Sequence, residues 1–171
     1  VHETEEELRL AQRIQRQLLP STVPQLPHLD IYGRSDPAVW TSGDYFDYLT
    51  LKDGSTAMIV ADVSGHGLGP ALLMSSTRAS FRGLAPTTSD IGELLTSGNR
   101  AVADSVAAND FVTAMVVRYD SAQQAITYAG AGHVAYLLRA DGSWQTLEAD
   151  APPLGITPEM KVQADTVCNV V

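Results

Sequence analysis

The chain has 171 residues, 44% hydrophobic and 18% charged, with eleven Lys and Arg against twenty Asp and Glu for a formal net charge of −9. That length and apolar content suit one soluble domain with a real core, and the acidic balance disfavours nucleic acid and anionic membranes as partners, since the densest basic cluster, Arg9, Arg13 and Arg16, sits among Glu3, Glu5, Glu6 and Glu7. No apolar run reaches the ~18 residues of a membrane span and no signal-peptide pattern opens the chain, while the single cysteine, Cys168, has no internal disulfide partner, so a reducing cytoplasm is the expected setting.

Residues 4–19 (TEEELRLAQRIQRQLL) are predicted to be helical, with an acidic first turn, no internal Gly or Pro, and Pro20 as a stop. Leu8, Ala11, Ile14, Leu18 and Leu19 form a narrow apolar stripe, suited either to docking on the domain or to pairing with a second helix in a homodimer. Residues 20–43 are Pro-rich and irregular, with an edge strand expected over Leu29–Tyr32. Two strands, Tyr45–Leu51 and Ser55–Ala61, then flank the turn signal Lys52-Asp53-Gly54.

Beyond the Gly-rich Ser64–Gly69, Pro70 can enter the first turn of a helix running towards Phe81. A second helix is expected over 90–107: Asp90 and Glu93 have capping-box spacing, and Ile91, Leu94, Leu95, Val102 and Val106 share a face. Strands follow at Phe111–Tyr119, Ala125–Ala129, Val134–Arg139 and Trp144–Leu147, the last two joined by an Asp141-Gly142 turn. Met58 and Met74 read as core, and Trp40 and Trp144 as packing residues. Strand runs around a two-helix block, joined by short turns, imply an α+β layered domain with a mainly antiparallel sheet.

The first hairpin carries the chemistry. Side chains alternate faces along a strand, so a three-residue loop at 52–54 pairs Leu51 with Ser55 and sets Asp44 opposite Asp62, Cβ atoms about 5 Å apart. A two-residue loop would send the two aspartates to opposite faces. Carboxylates that close repel unless a proton or cation intervenes, and an oxygen-only donor set with neither Cys nor paired His nearby selects Mg²⁺ or Mn²⁺ over zinc. Asp62 leads into Val63-Ser64-Gly65-His66-Gly67, where glycines let the backbone approach a ligand and an anion could sit beside the metal. The plainer reading makes the aspartates solvated strand ends and the glycines an ordinary strand-to-helix turn. Asp47, one register step off the Asp44 face, is expected to make a structural hydrogen bond, and His133, between two strands, to be structural as well.

Ala61-Asp-Val-Ser-Gly-His-Gly67 resembles the signature of PP2C-like, metal-dependent bacterial serine/threonine phosphatases of the sporulation-phosphatase and sigma-factor-regulator type. Further matches follow in order over residues 8–156: Ala11–Pro20 (AQRIQRQLLP) resembles the linker helix preceding the domain, Ser42–Asp47 (SGDYFD) the first metal motif, and Phe111-Val112-Thr113, Tyr128–His133 (YAGAGH) and Pro153-Leu154-Gly155 other landmarks. The resemblance implies a four-layer α/β/β/α sandwich of two mainly antiparallel sheets, with a dinuclear Mn²⁺ or Mg²⁺ centre at one edge. Asp44 and Asp62 would be its ligands, with Val63 contributing its backbone carbonyl, which favours the three-residue loop. It further implies in-line attack of a metal-activated water on phosphoserine or phosphothreonine. The substrate would be a small regulatory protein such as an anti-sigma-factor antagonist. Residues 1–20 would form a linker helix relaying the state of an upstream sensory domain to the phosphatase domain at 21–171. His66 is a candidate general acid for the departing oxygen, against a plainer role in packing or capping the turn.

Two departures stand out. Family members carry a later Thr-Asp-Gly motif whose aspartate completes the metal site; this sequence contains none, so the domain is expected to lack its C-terminal part or to bind metal poorly. Ser42-Gly43 stands where paired glycines are usual, a change expected to leave the Asp44 carboxylate in place. Two rival readings remain at this stage. Ser-Gly-Asp-Tyr-Phe at 42–46 is superficially similar to the hairpin motif of cyclic-dinucleotide synthases, a pattern with no place for ADVSGHG. The other rival is a non-catalytic, partner-binding phosphatase-like module.

Overall fold

The computed structural model describes residues 2–27, 29–37, 40–107 and 109–168. Its elements are α1 (His2–Leu18), β1 (Asp44–Thr50), β2 (Thr56–Val63), α2 (Leu68–Leu84), a 3₁₀ turn at Ala85–Thr87, α3 (Ile91–Ala103), β3 (Val112–Asp120), β4 (Ala125–Ala131), β5 (Ala135–Leu138), β6 (Trp144–Leu147) and β7 (Asp165–Cys168). Five strands form one antiparallel sheet in the order β1-β2-β3-β4-β7, and β5 pairs with β6 in a separate hairpin. The α+β expectation therefore stands.

Period-two alternation sorts the sheet into two faces. Tyr45, Leu49, Ala57, Ile59, Ala61, Val63, Val112, Ala114, Val116 and Ala129 turn to one side and are buried. There they meet Met74 and Phe81 of α2 and Ile91, Leu94, Leu95 and Val102 of α3. Full burial of an aliphatic or aromatic side chain contributes about 1.5–3 kcal/mol, so this helix-on-sheet layer supplies most of the hydrophobic stabilisation. The helices are close enough that a Cβ on Gly98 of α3 would lie 2.5 Å from the Phe81 ring. The opposite face carries Phe46, Tyr48, Met58 and Val60, partly buried or exposed, with residues 31–36 lying against it.

The turn between β1 and β2 is the three-residue kind. Leu51 N–H donates to the Ser55 carbonyl at 2.8 Å, Gly54 N–H returns to the Leu51 carbonyl at 2.9 Å, and Gly54 has φ +81. Asp53 Oδ1 accepts from both the N–H and the hydroxyl of Ser55, which holds its carboxyl below the ordinary range. Asp44 consequently pairs with Asp62.

Several expectations need correction. Leu29–Tyr32 is no strand: Leu29 makes one isolated bridge to Leu26, and the chain then runs over the outer face of β1–β2 instead of alongside the free edge of β1. The second helix ends at Ala103, where Ser105 N–H closes a tighter turn on the Val102 carbonyl. Asp90 caps it as expected, accepting from Gly92 and Glu93 N–H, but the Glu93 carboxylate accepts from the Thr88 hydroxyl at 2.6 Å and the box stays half-closed. Trp144 is 67% exposed, on a side of the β5–β6 hairpin it shares with the equally exposed Leu138, its strand partner, and Tyr136, ring centroids 6.1 Å apart. Strand β7, not among the strands expected from sequence, pairs with β4. Among the described residues no helix is long and apolar enough to cross a membrane.

Candidate metal centre

Asp44 opens β1 and Asp62 stands one residue before the end of β2, and their pairing puts both carboxylates on the sheet face away from the helices, at the same end. The row continues across the sheet. Asp62 pairs with Thr113 of β3, and the Thr113 hydroxyl is 2.9 Å from His133 Nδ1. Burial, followed by the Asp44 charge, pushes the Asp62 carboxyl upward, with His133 opposing. The pair is thus short of positive charge.

The Asp44 side chain is oriented locally: the Ser42 hydroxyl donates to its Oδ2 at 2.9 Å and accepts its backbone N–H at 3.0 Å. Gly43 packs so tightly on β2 that an added Cβ would lie 2.7 Å from the Val63 carbonyl oxygen. Val63 therefore presents backbone beside the two carboxylates while its side chain is buried. Among the described residues no cluster of three or more His, Cys, Asp or Glu forms around this pair. Two facing carboxylates and a nearby carbonyl fit a hard divalent ion whose remaining positions are filled by water. They suit zinc poorly, because its sites draw on Cys or His beside any carboxylate.

The other site residues fall as follows. His66 is exposed on the loop between β2 and α2, flanked by Gly65 (φ +89) and Gly67 (φ +90), with no hydrogen bond to either aspartate. Asp47 points to the helix face, fully buried, and is bound bidentately by Arg82 at 2.6 and 2.7 Å while accepting from the Tyr45 hydroxyl at 2.8 Å. Burial, with Asp47 adding to it, drives the Tyr45 phenol strongly upward, so it stays protonated and donates. The structural role expected for Asp47 is the observed one. Sequence reading missed Thr113 and Gln15 as neighbours of the centre. Thr113 could have been found from strand register; Gln15 carries no such signal, because its partner lies 27 residues away.

The architecture is shared with solved PP2C-type domains. The SiaA-PP2C domain of Pseudomonas aeruginosa superposes with a TM-score of 0.77 at 19% identity, covering 98% of this chain and 68% of that one. RsbX in complex with magnesium superposes at 0.56 with 21% identity, covering 77% and 61%. Within this fold the chain belongs to the Stage II sporulation protein E (SpoIIE) family, whose model matches residues 52–168. Phosphoserine phosphatase RsbU of Bacillus subtilis (strain 168) is 35% identical over 159 residues, which are 92% of this chain and 47% of that protein. The chain thus spans about half the length of this curated relative.

Proposed function

We propose that this domain is a metal-dependent protein phosphatase that hydrolyses phosphoserine or phosphothreonine on a regulatory protein. The observation that carries the reading is the pairing of Asp44 with Asp62 in neighbouring strands, like charges facing each other with no Lys or Arg salt bridge to either among the described residues. Asp44, Asp62 and the Val63 carbonyl would hold Mn²⁺ or Mg²⁺, two ions by family resemblance. When bound, such ions polarise phosphoryl oxygens and bring a water molecule to hydroxide-like reactivity near neutral pH. Asp44 and Asp62, paired at one end of the sheet, would hold that assembly where a phosphorylated side chain is received. His66, exposed on the adjoining loop, would serve as general acid for the departing seryl or threonyl oxygen. The names of RsbU and RsbX support serine phosphatase chemistry and magnesium respectively.

The substrate class follows the same resemblance: a phosphorylated anti-sigma-factor antagonist, handled in the cytoplasm. α1 would connect to an upstream sensory domain or pair with its counterpart in a homodimer, a role supported by the half-exposed Leu10 and Ile14. A second reading, the partner-binding module without turnover, draws on the absence of a third acidic or histidine ligand among the described residues. Mn²⁺-dependent release of phosphate from a phosphoserine peptide separates them. Turnover that disappears in Asp62→Asn is expected; hydrolysis unaffected by that change or by chelation would overturn the phosphatase reading, and metal binding without hydrolysis would favour the module.

A further inference from the structure

Gln15 is the one buried side chain among those described in α1, at 7% exposure, whereas Leu10 and Ile14 on the same helix are half-exposed. The apolar stripe of α1 suits either docking or pairing with a second helix, yet the deepest contact of α1 is polar. Burying an amide without partners costs about 1–3 kcal/mol, so the bonds it makes matter. Both go to one residue: Gln15 Nε2 donates to the Ser42 carbonyl at 2.7 Å, and Gln15 Oε1 accepts the Ser42 N–H at 2.9 Å. This two-point hold needs an amide of that length. A carboxylate can accept the second bond but cannot donate the first, and an aliphatic side chain makes neither.

Ser42 in turn handles Asp44, its hydroxyl donating to the carboxylate and accepting the N–H. On the other side Gly43 is pressed against Val63, accepting the Val63 N–H at 3.3 Å. The Ser42-Gly43 segment is therefore held between α1 and β2, and it adjoins both backbone and side-chain groups of the centre. The geometry points to Gln15 as a positioning residue for the metal centre: through Ser42 it sets the direction of the Asp44 carboxylate, so metal affinity depends on α1 being seated. The inference rests on reading Asp44 and Asp62 as ligands.

The test compares the full chain with Gln15→Leu, Gln15→Glu and, as a control for the same chemical change on an exposed position of α1, Gln17→Leu. Manganese affinity is measured by calorimetry, and exchange of the Ser42 and Asp44 amides is followed on the metal-free proteins. Gln15→Leu is expected to weaken Mn²⁺ binding about tenfold or more, the usual cost of losing an outer-shell partner, and to speed exchange at Ser42. Gln15→Glu should fall between, and Gln17→Leu should match wild type. If Gln15→Leu fails to fold, Gln15→Glu carries the comparison. Wild-type affinity in a folded Gln15 variant, or equal losses in Gln17→Leu, would overturn the inference while leaving the phosphatase reading intact. A wild-type chain that takes up no manganese would overturn both.

Discussion

Asp44 and Asp47 lie three residues apart on one strand and have opposite fates. Asp47 faces the helices, is fully buried, and receives Arg82 on both oxygens and the Tyr45 hydroxyl on one. Asp44 faces away, is exposed, and meets another carboxylate across the strand pair. A strand rotates its side chains by half a turn per residue, so an odd spacing separates a structural ion pair from a charge left for something else. The lesson is that the completeness of a carboxylate's partners, and not its burial alone, distinguishes a fold-holding group from a ligand.

The largest effect expected from this contrast is Asp47→Ala. It strands a guanidinium and a buried phenol, and breaking such a pair costs about 3–5 kcal/mol, towards the lower end here because the Arg82 side chain is 46% exposed. Urea unfolding should show the loss, and a cost within error of zero would break the comparison. Asp44→Asn should do the reverse: Mn²⁺-dependent hydrolysis of a phosphoserine peptide falls on the order of a thousandfold, since several kcal/mol of charge stabilisation disappear, while the urea midpoint holds.

Gly43→Ala probes the backbone between the two carboxylates. Its Cβ would meet the Val63 carbonyl oxygen at 2.7 Å, and shifting that strand end should cost about 1–3 kcal/mol by denaturation and weaken metal binding as well. The smallest effect is a pH dependence. The Asp62 carboxyl is raised in the fold, so its contribution to stability is full below the ordinary carboxylate value of about 4 and is lost as pH rises through the raised value. In chelator, Asp62→Asn should therefore be more stable than wild type at neutral pH, by well under about 1 kcal/mol for so exposed a group, and the gap should close on acidification. A gap that widens in acid would mean that Asp62 is stabilised as an anion in the fold.

Much of this was legible in the residues themselves. Asp53-Gly54 between two alternating strands predicts a tight turn, and once the loop has three residues the opposition of Asp44 and Asp62 follows, because register is inherited from the turn outward. The two packed helices were legible for the same local reason, a repeat near four residues with Asp90 as cap. The strand expected at Leu29–Tyr32 failed because the segment crosses the face of β1–β2 instead of lining up with the free edge of β1, and β7 escaped notice because a short exposed segment becomes a strand only through its partner β4. The hold of Gln15 on Ser42 and of Thr113 on His133 spans 27 and 20 residues. Periodicity and capping act over a turn of helix or a pair of strands, so local chemistry set the facing carboxylates, whereas the seat of α1 and the neighbours of the centre came from packing between elements far apart in the chain.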